Sequence, residues 1–161
     1  DAFSSIGFFT LYKNYHHDHI ASGVVNTNPA VHEVGYVNGA DMFIRKKHLD
    51  DVGFFDSDFF LYFEETELSY RLKKRGYTSV IIPMIKIIHL TNGSQKPNAS
   101  FNYKHLFHFC QGRNLYFIKC HGLYYSILVR ICYALGEVNL SILGKRKGNL
   151  FKKLNCILFA K

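Results

Sequence analysis

The chain has 161 residues, enough for one domain with a hydrophobic core. Hydrophobic residues make up 48% and aromatics 16%, which excludes a disordered polar chain. The formal net charge of +8 fits three kinds of partner: nucleic acid, anionic lipid headgroups, or a phosphorylated substrate.

The basic residues concentrate in Arg45-Lys46-Lys47, in Lys73-Lys74-Arg75, and in the tail Lys145-Arg146-Lys147 with Lys152-Lys153. No run is long enough for a nucleic-acid arm, so no nucleic-acid partner is expected. Solvated helix faces explain the first two clusters equally well. Cys110, Cys120, Cys132 and Cys156 form no CxxC pair and fit no zinc spacing. Their apolar surroundings suggest buried thiols in a reducing compartment. The opening Asp1-Ala2-Phe3 has no initiator Met and no basic-then-apolar leader, so further sequence upstream is expected. No stretch reaches the roughly 18 to 20 uninterrupted apolar residues that a membrane span needs.

Residues 1 to 34 are aromatic and weakly periodic, and read as loops and short elements. His16, His17, His19 and His32 fit loop or surface histidines better than a metal cluster. Residues 35 to 45 read as a loop running into a strand at Met42-Phe43-Ile44. Residues 46 to 52 form a short helix ended by Gly53. An aromatic and acidic loop follows, from Phe54 to Phe63.

Residues 64 to 75 carry the clearest helix. Glu64, Glu65 and Glu67 open it and Lys73, Lys74 and Arg75 close it, both ends complementing the helix dipole. Gly76 stops it, Leu68 and Leu72 give it a buried stripe, and Glu67 and Arg71 stand one turn apart, placed to pair. Residues 78 to 82 and 85 to 88 read as short strands around Pro83, and residues 91 to 102 as a loop. Residues 103 to 119 read as an aromatic helix. Residues 123 to 143 read as a helix interrupted at Gly136, before a basic tail with an apolar stretch at 154 to 159.

The densest chemistry lies in Phe60-Leu61-Tyr62-Phe63-Glu64-Glu65-Thr66-Glu67, where three carboxylates follow a run of aromatics. An acidic helix start needs no function to explain it. Crowded like charges, however, raise one another's pKa while the helix N-terminus lowers it. A carboxylate between these effects stays ionised and can still accept a proton in a transition state.

Around this segment stand Val37-Asn38-Gly39-Ala40-Asp41-Met42-Phe43-Ile44-Arg45-Lys46 and Val52-Gly53-Phe54-Phe55-Asp56-Ser57-Asp58-Phe59-Phe60. After it come Arg75-Gly76-Tyr77, Pro83, and Ile88-His89-Leu90-Thr91-Asn92-Gly93-Ser94. In order and spacing, residues 35 to 94 resemble the second half of bacterial family-2 glycosyltransferases of the rhamnosyltransferase-like kind. A weaker similarity continues through Gly112-Arg113-Asn114-Leu115-Tyr116-Phe117-Ile118-Lys119.

The resemblance implies an α/β fold: the acceptor-side, C-terminal portion of a GT-A domain over residues 1 to 102, with added C-terminal helices over 103 to 161. It implies an inverting transfer from a nucleotide-sugar donor to a hydroxyl of a glycan or lipid-linked acceptor in bacterial surface polysaccharide synthesis. The family's acidic pair is commonly Glu-Asp, with the second member the base; that position is Glu65 here, beside Glu64. The longer side chain shifts the carboxylate by one methylene and leaves Asp41 as a second candidate. Asn38, Gly39 and Ala40 would line the sugar or acceptor, the glycine allowing close approach. Arg71 would orient Glu67 or contact phosphate, and its spacing favours orienting. His89 would contact metal or diphosphate.

A divalent metal, Mg or Mn, is implied for the complete enzyme, held by an Asp-x-Asp motif in the donor half. Asp56-Ser57-Asp58 has those letters but occupies the loop before the acidic pair, so no metal is assigned to it. The chain alone is therefore expected to be inactive. The resemblance places the protein in the cytoplasm or at the inner face of the membrane. Peripheral attachment of the basic tail to lipid and packing of that tail on the core are equally open. Surface left by a missing half would favour a homo-oligomer. A non-catalytic carbohydrate-binding or interaction module is the alternative reading.

Overall fold

The computed structural model describes residues 30–85, 101–145 and 148–160. A two-stranded antiparallel sheet pairs β1 (His32–Val34) with β2 (Ser79–Ile81), in the register His32 to Ile81 and Val34 to Ser79. Between the strands lie α1 (Lys46–Val52) and α2 (Glu64–Lys74). Three helices follow: α3 (Tyr103–His121), α4 (Leu123–Ile142) and α5 (Leu150–Phe159). They pack on one another, and α2 packs on α3. The described part is thus mixed, mostly helical, with one small sheet.

Local chemistry sets the helix ends. Asn102 and Asn149 cap α3 and α5, their side chains accepting from the backbone amides of His105 and Lys152. A single residue, Gly122, joins α3 to α4 at φ 89°, a conformation that costs a residue with a Cβ. Two expectations need correction, the strand at 42 to 44 and the break at Gly136. Met42-Phe43-Ile44 forms no strand. Residues 32 to 34, in the region read as loops and short elements, form the short strand β1 by pairing far along the chain, which was not itself foreseen. The helix expected to break at Gly136 runs through it, and Gly136 is buried. Packing there outweighs a propensity cost of about 1 kcal/mol. Residues 86 to 88, expected in a strand, lie outside the described residues.

The core of the helical part is small: Cys110, Ile157 and Ala160, flanked by Leu106, Phe109, Tyr133 and Ala134. Polar groups complete it. The C-terminal carbonyls of α5 lack intrahelical partners and are capped from the other helices. Arg113 Nη2 donates to Ile157 O at 2.8 Å, Arg130 Nη1 to Leu158 O at 2.9 Å, and Asn114 Nδ2 to Ala160 O at 2.9 Å. Both arginines thereby sit at the negative end of the α5 dipole. This gives Arg113, 1% exposed, a favourable place for its charge, and the Tyr133 ring lies 4.4 Å from the guanidinium. Lys153, 2% exposed, donates to Glu137 Oε1 at 2.6 Å.

The four cysteines are free. Cys110 is buried as expected and the other three are half-buried. Burial pushes the Cys110 and Cys120 thiols up to about 11, which leaves them unreactive near neutral pH.

Helix α3 also carries the loop that leads into α2. The carbonyls of Leu61 and Tyr62 lie against Gly112, where an added Cβ would stand 2.9 and 2.4 Å from them. These contacts are with backbone and cannot be relieved by a rotamer change. Gly112→Ala is therefore expected to destabilise the fold by about 1–3 kcal/mol, the usual cost of overpacking. Urea denaturation reads this directly. Unchanged stability would mean that the loop does not rest on Gly112.

Candidate functional site

The site is built from the backbone of the loop before α2. Tyr62 and Phe63 both adopt left-handed conformations, with φ of 68° and 69°. For bulky residues this costs about 1–2 kcal/mol each and requires support from the surroundings. Rings on α3 supply it. Tyr62 packs edge-on against His105 and Phe109, and Phe63 packs against Phe109 and Tyr116. The two left-handed residues turn the chain sharply, so α2 begins at once with Glu64 and Glu65.

No side chain caps the N-terminus of α2. Its acidic first turn stands there instead, in the positive field of the free amides. One oxygen of each carboxylate, the Oε2 of Glu64, Glu65 and Glu67, is buried without a hydrogen-bond partner among the described residues. A buried carboxylate oxygen with no donor is costly and is unusual in a purely structural role. Burial pushes the Glu65 carboxyl above its ordinary range; its own backbone amide opposes this and the charge of Glu64 adds to it. Such a group is poised to take up a proton.

The structure brings Gly39 beside the Cβ of Glu65. A Cβ added at Gly39 would lie 3.9 Å from Glu65 Cβ, an ordinary contact, so Glu65 by itself would tolerate an alanine there. Asn38, Gly39, Ala40 and Asp41 form a turn. Asn38 Oδ1 accepts from Ala40 N at 3.0 Å and Asn38 O from Asp41 N at 3.1 Å. All four are exposed. The turn thus lies at an open surface beside the half-buried Glu65.

Arg71 is occupied by protein partners. Its Nε donates to Glu67 Oε1 at 2.7 Å, and its Nη atoms donate to the carbonyls of Val52, Gly53 and Phe54. These bonds pair it with Glu67 and tie α2 to the end of α1. Asp56 and Asp58 are likewise occupied, because Lys119 Nζ donates to Asp56 Oδ2 and, at 2.6 Å, to Asp58 Oδ2. Lys119 holds the Asp56 carboxyl below its usual range.

Among the described residues no group of three His, Cys, Asp or Glu side chains is placed to hold a metal ion. His89, His16, His17 and His19 lie outside the described residues. Sequence reasoning missed Gly112, Tyr62 and Phe63 as the residues that set the position of Glu65. The local signals were the aromatic run beside the acidic cluster for Tyr62 and Phe63, and the similarity over residues 112 to 119 for Gly112.

The position of Glu65 has a pH signature. A folded-state pKa above the ordinary value of 4.5 means that the folded chain binds more protons than the unfolded one above that pH. Stability then falls as pH rises through the window that begins there. Glu65→Gln removes this slope. Urea unfolding of both proteins at about pH 4 and about pH 7 is expected to favour the variant more at the higher pH. An equal difference at both values would show that the carboxyl is not desolvated.

Sequence comparison places the chain among known proteins. A 61-residue stretch is 34% identical to the N-acetylglucosaminyl-diphospho-decaprenol L-rhamnosyltransferase of Mycobacterium tuberculosis, found alike in two strains. It covers 38% of this chain and 20% of the relative, so the similarity spans about a fifth of that protein's length. No solved structure matches. Residues 3–130, which include the turn at Gly39, the acidic helix start and Gly112, match the profile of Glycosyl transferase family group 2, and the chain belongs to that family.

Proposed function

We propose that this chain is the acceptor-side part of an inverting glycosyltransferase with a GT-A fold. It would move a sugar from a nucleotide-sugar donor to a hydroxyl of a glycan or lipid-linked acceptor in bacterial surface polysaccharide synthesis. The relative from M. tuberculosis is named for a diphospho-decaprenol acceptor and a rhamnosyl donor group, which supports a lipid-linked acceptor here. The observation that carries the reading is the half-buried Glu65 with its orphan Oε2 beside the open Asn38–Asp41 turn.

In this reaction Glu65 takes the proton of the acceptor hydroxyl. The freed oxygen pair forms the new bond to the anomeric carbon. The bond from that carbon to the diphosphate breaks on the opposite face, and the nucleoside diphosphate leaves with the electron pair. Desolvation keeps the basicity of Glu65 high enough for proton transfer. Glu64 raises it further by charge. The Asn38–Asp41 turn offers peptide groups and the Asp41 carboxylate to sugar hydroxyls, with Asp41 the second candidate for the base.

The divalent ion that the family resemblance implies for the complete enzyme is assigned to its donor-binding part, and transfer by this chain alone is not expected. The cytoplasmic side of the membrane is the proposed place of the reaction.

A protein that joins this chain to its donor-binding half tests the assignment. Glu65→Gln is expected to lower transfer by about 10²- to 10⁴-fold while nucleotide-sugar binding, read by calorimetry, stays unchanged. Full transfer by Glu65→Gln would remove Glu65 from the mechanism and move the role to Asp41.

A further inference from the structure

Helix α4 is turned inside out for a helix in water. Its 20 residues hold two charged side chains, Arg130 and Glu137, and both face inward. Arg130 bonds Leu158 O and Glu137 bonds Lys153, each on α5. The outward side carries Tyr124 at 90% exposure, Leu128 at 53%, Ile131 at 47%, Leu135 at 56% and Ile142 at 79%. These stand four or three residues apart, or two turns apart, so they form one stripe along a helix about 30 Å long. The exposed Asn139 interrupts it between Leu135 and Ile142, and an apolar stripe of this length marks an interaction surface.

We propose that the outward face of α4 lies in the plane of an anionic lipid bilayer. No described helix is long and apolar enough to cross a membrane, so the helix lies on the surface. Charge selects lipid over a second copy of the chain. A net charge of +8 draws the protein to phosphate headgroups and repels another molecule carrying the same charge. The ends of the stripe suit a headgroup layer. Tyr124 and Tyr125 stand at one end, and the exposed Lys145 follows the other. The exposed Lys152, near the start of α5, adds to the positive charge of the same bundle. The inference deepens the lipid-linked acceptor of the proposed function: α4 packs on α3, the helix that seats the Glu65 loop, and so would hold that site near the membrane.

The chain contains no tryptophan, so Ile131→Trp places a single reporter on the stripe. With the full 161-residue chain, its emission is expected to shift to the blue on vesicles of equal parts phosphatidylglycerol and phosphatidylcholine, and much less on phosphatidylcholine alone. The double variant Leu128→Glu, Ile131→Glu changes only exposed positions and should keep its far-UV circular dichroism. It is expected to lose more than about tenfold in cosedimentation with the anionic vesicles. Absence of binding to either vesicle overturns the proposal, as does binding that survives the double substitution. Dimers seen by light scattering and abolished by the same substitution would assign the face to a second copy instead. The assay needs neither donor nor acceptor, so its failure leaves glycosyl transfer standing, and a failed transfer assay leaves membrane docking standing.

Discussion

The close approach of the Leu61 and Tyr62 carbonyls to Gly112 is the constraint on which the rest of the site depends. It lets the loop lie flat on α3. Only then can the rings of Tyr62 and Phe63 reach Phe109 and Tyr116. Those ring contacts offset the cost of two left-handed aromatic residues. The resulting sharp turn starts α2 at Glu64 and leaves Glu65 half-buried beside Gly39. Leu68 and Leu72, buried one turn apart, then seat α2 in the packing.

The chain of support continues to the last helix. Gly112, Arg113 and Asn114 are consecutive in α3, and each does a different job. Gly112 receives the loop, while Arg113 and Asn114 bind carbonyls at the C-terminal end of α5. The helices after the loop are therefore part of what positions Glu65. Removing Arg113 or Asn114 would leave buried carbonyls without donors, a larger penalty than the bonds themselves represent. The same geometry explains how a chain with a small apolar core buries an arginine and a lysine. The arginine meets a helix C-terminus and a tyrosine ring, and the lysine meets Glu137.

What was legible in the sequence was local. The helix over Lys46–Val52 with Gly53 after it, the acid-to-base polarity of Glu64–Lys74, and the Glu67–Arg71 pair follow from spacing within a few turns. The pairing of His32–Val34 with Ser79–Ile81 was not legible, because neither segment shows strand alternation over a useful length. Gly136 looked like a break, because propensity counts the missing side chain and not the packing around it. The left-handed turn at Tyr62 and Phe63 lacked the glycine or asparagine that usually signals one. For α4, the sequence did not say which side faced inward; the inward bonds of Arg130 and Glu137 settle that. Glu65 was found through the resemblance. Its neighbourhood with Gly39 belongs to the tertiary structure.

The central claim is that contact with α3 at Gly112 holds Glu65 in a desolvated position. Carbon-detected NMR titration of the Glu65 carboxyl, in the wild type and in Gly112→Ala, tests this most directly. The account predicts a wild-type pKa above the ordinary 4.5, moving back toward it in the variant as the loop lifts and water reaches the carboxylate. A wild-type Glu65 that titrates like a free glutamate, or a raised value that the variant leaves unchanged, would contradict it.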